Sequence, residues 1–293
     1  YTTVALFGGD SREGQLEEGT HADCIIVATI DNQTKEVKMV SVYRDTLTEQ
    51  MNGEIKKANN AYFTGGPQDA INMLNKNLDL DIQNYVTVDF KALADTVDLL
   101  GGIEVDIKEE EVQYMNEFLE ETAQVAGKEA KFIEHSGNRL LDGSQAVTYA
   151  RIRSTAGGDY TRTERQRLVL EKIFDKVLHT KLGTINKIID EVFPQVSTSF
   201  SLKNLIGLAA DATQYQLGEA KGFPFELTDG NVGSSVIPLG LAENVQELHE
   251  FLYPKDEYTV SEKVKEIASE IETLTGYTRA DYTESAQDTE NQE

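Results

Sequence analysis

The sequence predicts an α/β layered fold. Short apolar strands alternate with helices of period 3.6 along one continuous stretch, glycine pairs punctuate the joints, and no internal repeat or Pro/Ser-rich linker divides the chain. Residues 1–8 (YTTVALFG) read as a buried strand ending at Gly8-Gly9. After a polar loop, residues 24–30 form a second strand, 31–34 a turn and 36–42 an alternating third strand, so the three make a meander. Gly65-Gly66-Pro67 then opens a helix over 68–77, with Ala70, Ile71, Leu74 and Leu78 on one face. Proline suits a first turn, where its missing N–H would have had no partner. A strand over 85–88, a helix over 90–100 stopped by Gly101-Gly102, and a strand over 103–107 continue the pattern. Residues 109–140 are charged and are expected as an inserted, surface-lying helical segment. Further helices are expected over 144–152, 161–179, 185–192, 201–212, 240–252 and 262–274.

The simplest division is one domain over 1–255, a helical extension over 256–279 and a tail over 280–293. That tail holds five acids and almost nothing apolar, so it is expected to be disordered.

Charge excludes several function classes. With 27 Lys and Arg against 51 Asp and Glu in 293 residues, the net charge is −24. A duplex nucleic-acid binder needs a basic face to displace counterions, and a polybasic membrane-surface protein needs the same sign. The single cysteine, Cys24, rules out an internal disulfide framework and a cysteine-based zinc site. The four histidines (His21, His135, His179, His249) have no metal-ligand spacing.

The arginines are unevenly placed. Five of nine (Arg151, Arg153, Arg162, Arg165, Arg167) fall between 151 and 167, with no lysine and only Asp159 and Glu164 as acids. A merely solvated basic face would use lysine as well, and this chain has 18. Arginine offers a planar donor fork that matches phosphate oxygens two at a time. Positive charge near the start of the 161–179 helix also opposes its dipole, which a bound anion would relieve. On that helix Arg162, Arg165 and Gln166 share a face and Arg167 points elsewhere. The competing reading is a structural network of salt bridges.

Two further positions lie at strand ends, where α/β proteins build ligand sites. The Gly8–Arg12 loop carries Asp10, and Asp23 opens the next strand. Two carboxylates flanking one loop suit a hard cation such as Mg²⁺, or are solvated turn residues. Arg44, after the third strand, is expected on the same sheet edge, unless it simply pairs with Asp45. The glycines lack nucleotide-loop spacing.

Taken together, these segments resemble the LytR-CpsA-Psr family from residue 1 to about 255. The matching stretches are GGDSR at 8–12, ADCIIV at 22–27, VYRDT at 42–46, KANNAY at 57–62 and GGP at 65–67. They continue with LLGGIEVD at 99–106, LDGSQAVTYARIR at 141–153 and GDYTRTERQR at 158–167. The resemblance implies a three-layer α/β/α sandwich with a central mixed sheet. It also implies a membrane-anchored, extracytoplasmic enzyme of Gram-positive bacteria, its N-terminal anchor outside this chain. Such an enzyme moves a glycopolymer phosphate, teichoic acid or capsule, from a polyprenyl-pyrophosphate carrier to peptidoglycan. By position, Asp10 and Asp23 would hold Mg²⁺, with Mn²⁺ as the alternative. Arg44, Lys57, Arg151, Arg153, Arg162, Arg165 and Gln166 would grip the pyrophosphate. Asp10, Arg44 and Asp159 are the expected catalytic set, with Asp10 or Asp159 as base. The family often has arginine where this chain has His21. Apolar strands and the 68–78 helix are candidates to line a tunnel for the lipid. The alternatives are a lipid pyrophosphatase, and a carrier-lipid or wall-polymer binding or regulatory module without turnover.

Overall fold

The computed structural model describes residues 1–9, 16 and 19–282. The chain runs β1 (Thr2–Gly9), β2 (Ala22–Ile30), β3 (Glu36–Val42), a hairpin of β4 (Leu47–Glu49) and β5 (Ile55–Lys57), and α1 (Asn59–Leu78). Next come β6 (Asn84–Val88), α2 (Phe90–Leu99), β7 (Ile103–Ile107), α3 (Glu109–Ala126), β8 (Gly137–Leu141), α4 (Gly143–Arg151), α5 (Gly158–Leu178) and α6 (Leu182–Val192). The remainder is β9 (Ser197–Thr198), α7 (Leu202–Ala210), β10 (Gln216–Phe223), β11 (Leu227–Asp229), β12 (Val236–Pro238), α8 (Leu241–Leu252) and α9 (Glu262–Thr275).

The central sheet has the order β10-β3-β2-β1-β6-β9. The meander β1-β2-β3 is antiparallel, while β6 joins β1 and β10 joins β3 in parallel. The carboxyl ends of β1, β3, β6 and β10 therefore emerge together, beside the amino end of β2. Alternation along the strands sends side chains to opposite faces. Phe7, Ile25, Val27, Val40 and Val42 pack under α1, α8 and α9. Leu6, Cys24, Ile26 and Met39 turn the other way, towards Leu170 of α5. The result is the expected three-layer α/β/α sandwich. No helix among the described residues is long and apolar enough to cross a membrane.

Several expectations are corrected. The Gly65-Gly66-Pro67 break is a kink inside one helix that already starts at Asn59. Gly66 sits at φ 66° and ψ −158°, a conformation only glycine takes readily. Residues 109–140 are not a surface-lying insertion. Met115, Leu119, Ala123 and Ala126 give α3 a buried stripe beneath its charges, and β8 pairs with β7 in a ribbon apart from the central sheet. The 256–279 stretch buries Val264, Ile267, Ala268 and Ile271 of α9 in the main core. Of the predicted tail, Ala280 and Asp281 belong to a 3₁₀ turn, and residues 283–293 lie outside the described residues. Edge strand β10 was not foreseen, because QLGEAKGF mixes polar and small residues without a clear period.

Gly143, the first residue of α4, lies against the backbone of α2, and a β-carbon there would collide with the Ala94 carbonyl. Gly143→Ala is therefore expected to lower stability by about 1–3 kcal/mol, the cost typical of overpacking. Chemical denaturation would measure it, and an unchanged midpoint would contradict the close approach.

Candidate active site

The end of the sheet where four carboxyl termini meet carries the charged cluster. Asp23 opens β2, Arg44 and Asp45 follow β3, and Asp159 and Arg162 come from the first turns of α5. Arg44 Nη1 donates to Asp23 Oδ1 at 2.6 Å, and its Nε lies 3.6 Å from Asp159 and 3.7 Å from Asp45. Arg162 approaches Asp159 Oδ1 at 2.8 Å and Asp23 Oδ2 at 3.6 Å. Arg153 reaches the same Asp159 oxygen at 3.2 Å. Lys57, brought round by the β4–β5 hairpin, pairs with Asp45 at 3.2 Å. Among the described residues this is four cations around three carboxylates.

The burial of these cations gives the cluster its character. Arg162 is 3 % exposed. Burial pushes its pKa down and neighbouring Arg44 adds to that, against the pull of Asp159 and Asp23. Burial also opposes charge on Arg44, but Asp23, Asp159 and Asp45 outweigh it and raise its pKa. The Nε and Nη2 of Arg162, the Nε of Arg44 and Oε1 of Gln166 are buried without a hydrogen-bond partner among the described residues. The 2.8 Å approach of Arg162 Nη2 to Asp159 is thus an ion pair outside hydrogen-bonding alignment. Buried donors left unpaired cost free energy that an incoming anion can recover.

Two spaces meet here. A polar cleft of about 850 Å³ is lined by His21, Asp23, Arg44, Asp45, Lys57, Asn59, Asn60 and Arg153, among others. A second, mainly apolar cavity of about 370 Å³ runs between the sheet and the layer of α2, α4 and α5. Its walls include Leu6, Cys24, Val86, Val88, Leu93, Val147, Val169, Leu170 and Ile173, and Arg162 and Gln166 also face it. Asp23 and Arg153 border both spaces. The expected role of the 68–78 helix in a tunnel is corrected: that helix packs on the opposite face of the sheet.

The predicted residues divide. Asp23, Arg44, Lys57, Arg153, Asp159, Arg162 and Gln166 come together at these two spaces. Arg151 borders the apolar cavity, but its guanidinium donates to Thr122 at 2.8 Å and lies 4.6 Å over the Phe90 ring. Arg165 is a correction. It is buried and turned away, with Nε 2.9 Å from Glu111, Nη1 donating to Ile152 O and Nη2 to Thr155 Oγ1. Arg167 lies beside Tyr43, elsewhere, as expected. Asp10 lies outside the described residues. Asp45, which orients both Lys57 and Arg44, was weighed in the sequence only as a partner for Arg44.

No group of three or more metal-binding side chains exists among the described residues. Asp23 is an oxygen donor of the kind hard cations take, and its two oxygens face Arg44 at 2.6 Å and Arg162 at 3.6 Å.

Cys24 faces the apolar cavity, and burial pushes its thiol up to about 12 from an ordinary 9.0. Thiolate is the reactive form, so alkylation at pH 8 is expected to run at least about tenfold slower than in the unfolded chain. Timed iodoacetamide labelling before and after denaturation measures this; equal rates would refute the enclosure of that wall.

The model of the LytR_cpsA_psr family matches residues 1–236. The chain belongs to that family. A relative, the polyisoprenyl-teichoic acid–peptidoglycan teichoic acid transferase TagU of Enterococcus faecalis, is 32% identical over 213 residues, covering 71% of this chain and 65% of that protein. TagV of Bacillus subtilis, of the same named activity, is 30% identical over 69% of this chain and 51% of its own length. This LytR_cpsA_psr chain thus spans about half to two thirds of the length of the curated relatives it matches. Among solved structures, TagT bound to LI-WTA superposes with a TM-score of 0.70 at 24% identity, covering 86% of this chain and 89% of that one. The family protein YwtF (TagT) with bound octaprenyl pyrophosphate lipid gives 0.60 at 22% identity, covering 94% and 90%. At such identities the two structures establish the fold.

Proposed function

We propose that this chain is a phosphotransferase that moves a glycopolymer phosphate from a polyprenyl-pyrophosphate carrier to peptidoglycan. The observation that carries the reading is the junction of an apolar cavity with buried arginine nitrogens that lack a hydrogen-bond partner among the described residues, opening into a polar cleft. That sequence of environments matches a ligand with an apolar tail, a pyrophosphate and a hydrophilic head. The activity named for TagU and TagV, and the lipid bound to YwtF, support it.

In this reading Arg44, Arg153 and Arg162 hold phosphate oxygens, with Lys57 at the cleft side. Phosphoryl transfer asks for positioning and charge stabilisation more than covalent work by the protein. The acceptor hydroxyl oxygen bonds to the glycan-bearing phosphorus as the P–O bond to prenyl phosphate breaks, and prenyl phosphate leaves. The hydroxyl proton passes to a carboxylate. Asp159 holds three guanidiniums from one oxygen, which suits a group that aligns arginines, so Asp10 is the favoured base. Mg²⁺, or Mn²⁺, held by Asp23 and Asp10 would neutralise charge on the pyrophosphate. The chain acts outside the cytoplasmic membrane.

The test is an assay with a saccharide on prenyl pyrophosphate, a peptidoglycan acceptor and added Mg²⁺. Radiolabel transferred to the acceptor, and lost on metal chelation, is the expected result. Release of prenyl phosphate that ignores the acceptor would identify a pyrophosphatase instead.

A further inference from the structure

We propose that the stacked rings of His21 and Phe63 form a platform for the apolar face of a pyranose ring at the rim of the polar cleft. The proposal rests on the lipid-pyrophosphate reading of the adjoining site and adds a recognition element for sugar.

The two rings lie 4.5 Å apart between centroids and only 13° from parallel. They come from separate elements: His21 directly precedes β2 and Phe63 sits in the first half of α1. A backbone bond from Gly19 N to Phe63 O at 2.9 Å ties the two segments together at that point. The neighbouring Tyr62 is fully buried, whereas Phe63 is 43 % exposed and His21 is exposed too. The stacked pair is left at the surface beside a charged cleft that His21 itself lines.

Place and chemistry agree. His21 lines the same cleft as Asp23 and Arg44. Two residues of extended chain separate it from Asp23, roughly 7 Å, about the reach from a bound phosphate to the sugar attached to it. A pyranose has one face of C–H groups and a rim of hydroxyls. Its C–H face suits an aromatic ring, and its hydroxyls suit the amides and ammonium groups that line the cleft: Asn59, Asn60, Lys56 and Lys57. His21 supplies a ring that stacks nearly parallel to Phe63.

The sugar can belong to the carrier-linked glycan or to the acceptor, and binding measurements separate the two. Calorimetry would compare a short prenyl pyrophosphate with the same molecule bearing one N-acetylhexosamine. It would then titrate a muramyl-containing peptidoglycan fragment into protein loaded with the bare lipid. The variants are His21→Ala, Phe63→Leu (which keeps apolar bulk but removes the flat face) and Phe63→Tyr (which keeps the ring). The expected result is a loss of roughly fivefold in sugar-dependent affinity for His21→Ala and Phe63→Leu, with rescue by Phe63→Tyr and bare-lipid affinity unchanged. A loss confined to the lipid-linked sugar assigns the platform to the donor, and a loss confined to the fragment assigns it to the acceptor. If the sugar's contribution survives both substitutions, or bare-lipid affinity falls equally, the platform is overturned while the lipid reading stands. If bare prenyl pyrophosphate fails to bind the unaltered protein, the lipid reading falls and the platform with it.

Discussion

Arg162→Gln is expected to lower glycan transfer by about 10²–10³-fold, the usual cost of removing one preorganised donor from developing charge, with little change in stability. The two halves of that expectation have one origin. Arg162 is desolvated and faces a second cation, Arg44, so the ligand-free protein carries it at a cost. Removing it leaves Asp23 with Arg44, and Asp159 with Arg44 and Arg153, so no carboxylate is stranded. What is lost is Nε and Nη2, the buried donors with no hydrogen-bond partner among the described residues. Initial rates of transfer and a thermal melt measure both halves. Transfer within about threefold of the parent would remove Arg162 from the site; a collapse of the melt would show that the residue is a strut.

The sequence carried the central meander, the carboxyl-edge location of the charges and most of the arginine cluster, because each is written in local pattern. Alternation fixes strands, and a strand's end fixes where the next residues emerge. The strand walls of the apolar cavity were legible, but its helical walls escaped. Its walls come from α2, α4, α5 and three strands, and only packing decides which face of a helix closes a space. One signal was nevertheless present. Along α5, Arg162, Gln166, Val169, Leu170 and Ile173 recur at spacings of three and four, so a single stripe changes from charged to apolar down the helix. That stripe has the polarity profile of the ligand proposed for it. The overlooked strand β10 and the misread α3 fail for the opposite reason: short or charged segments whose role is set by partners far along the chain.

Arg162 and Arg165 show how much a helix face decides. Three positions apart, they were grouped from sequence, yet 165 is turned to Glu111, which accepts its Nε at 2.9 Å and lies 2.8 Å from its Nη2 in a site where both side chains are under 5 % exposed. Glu111 also accepts the Lys108 amide at the start of α3, so the pair pins α3 and the turn after α4 to α5. Glu111→Ala is therefore expected to destabilise the protein by about 3–5 kcal/mol, because it strands a buried cation. Replacing both partners with apolar side chains, Glu111→Leu with Arg165→Met, should recover most of that loss, since no buried charge then remains. Denaturant midpoints for the single and double variants measure this. The double variant also separates the two arginines by function: it should bind prenyl pyrophosphate within about threefold of the parent. If it instead loses tenfold or more in that affinity, Arg165 grips phosphate.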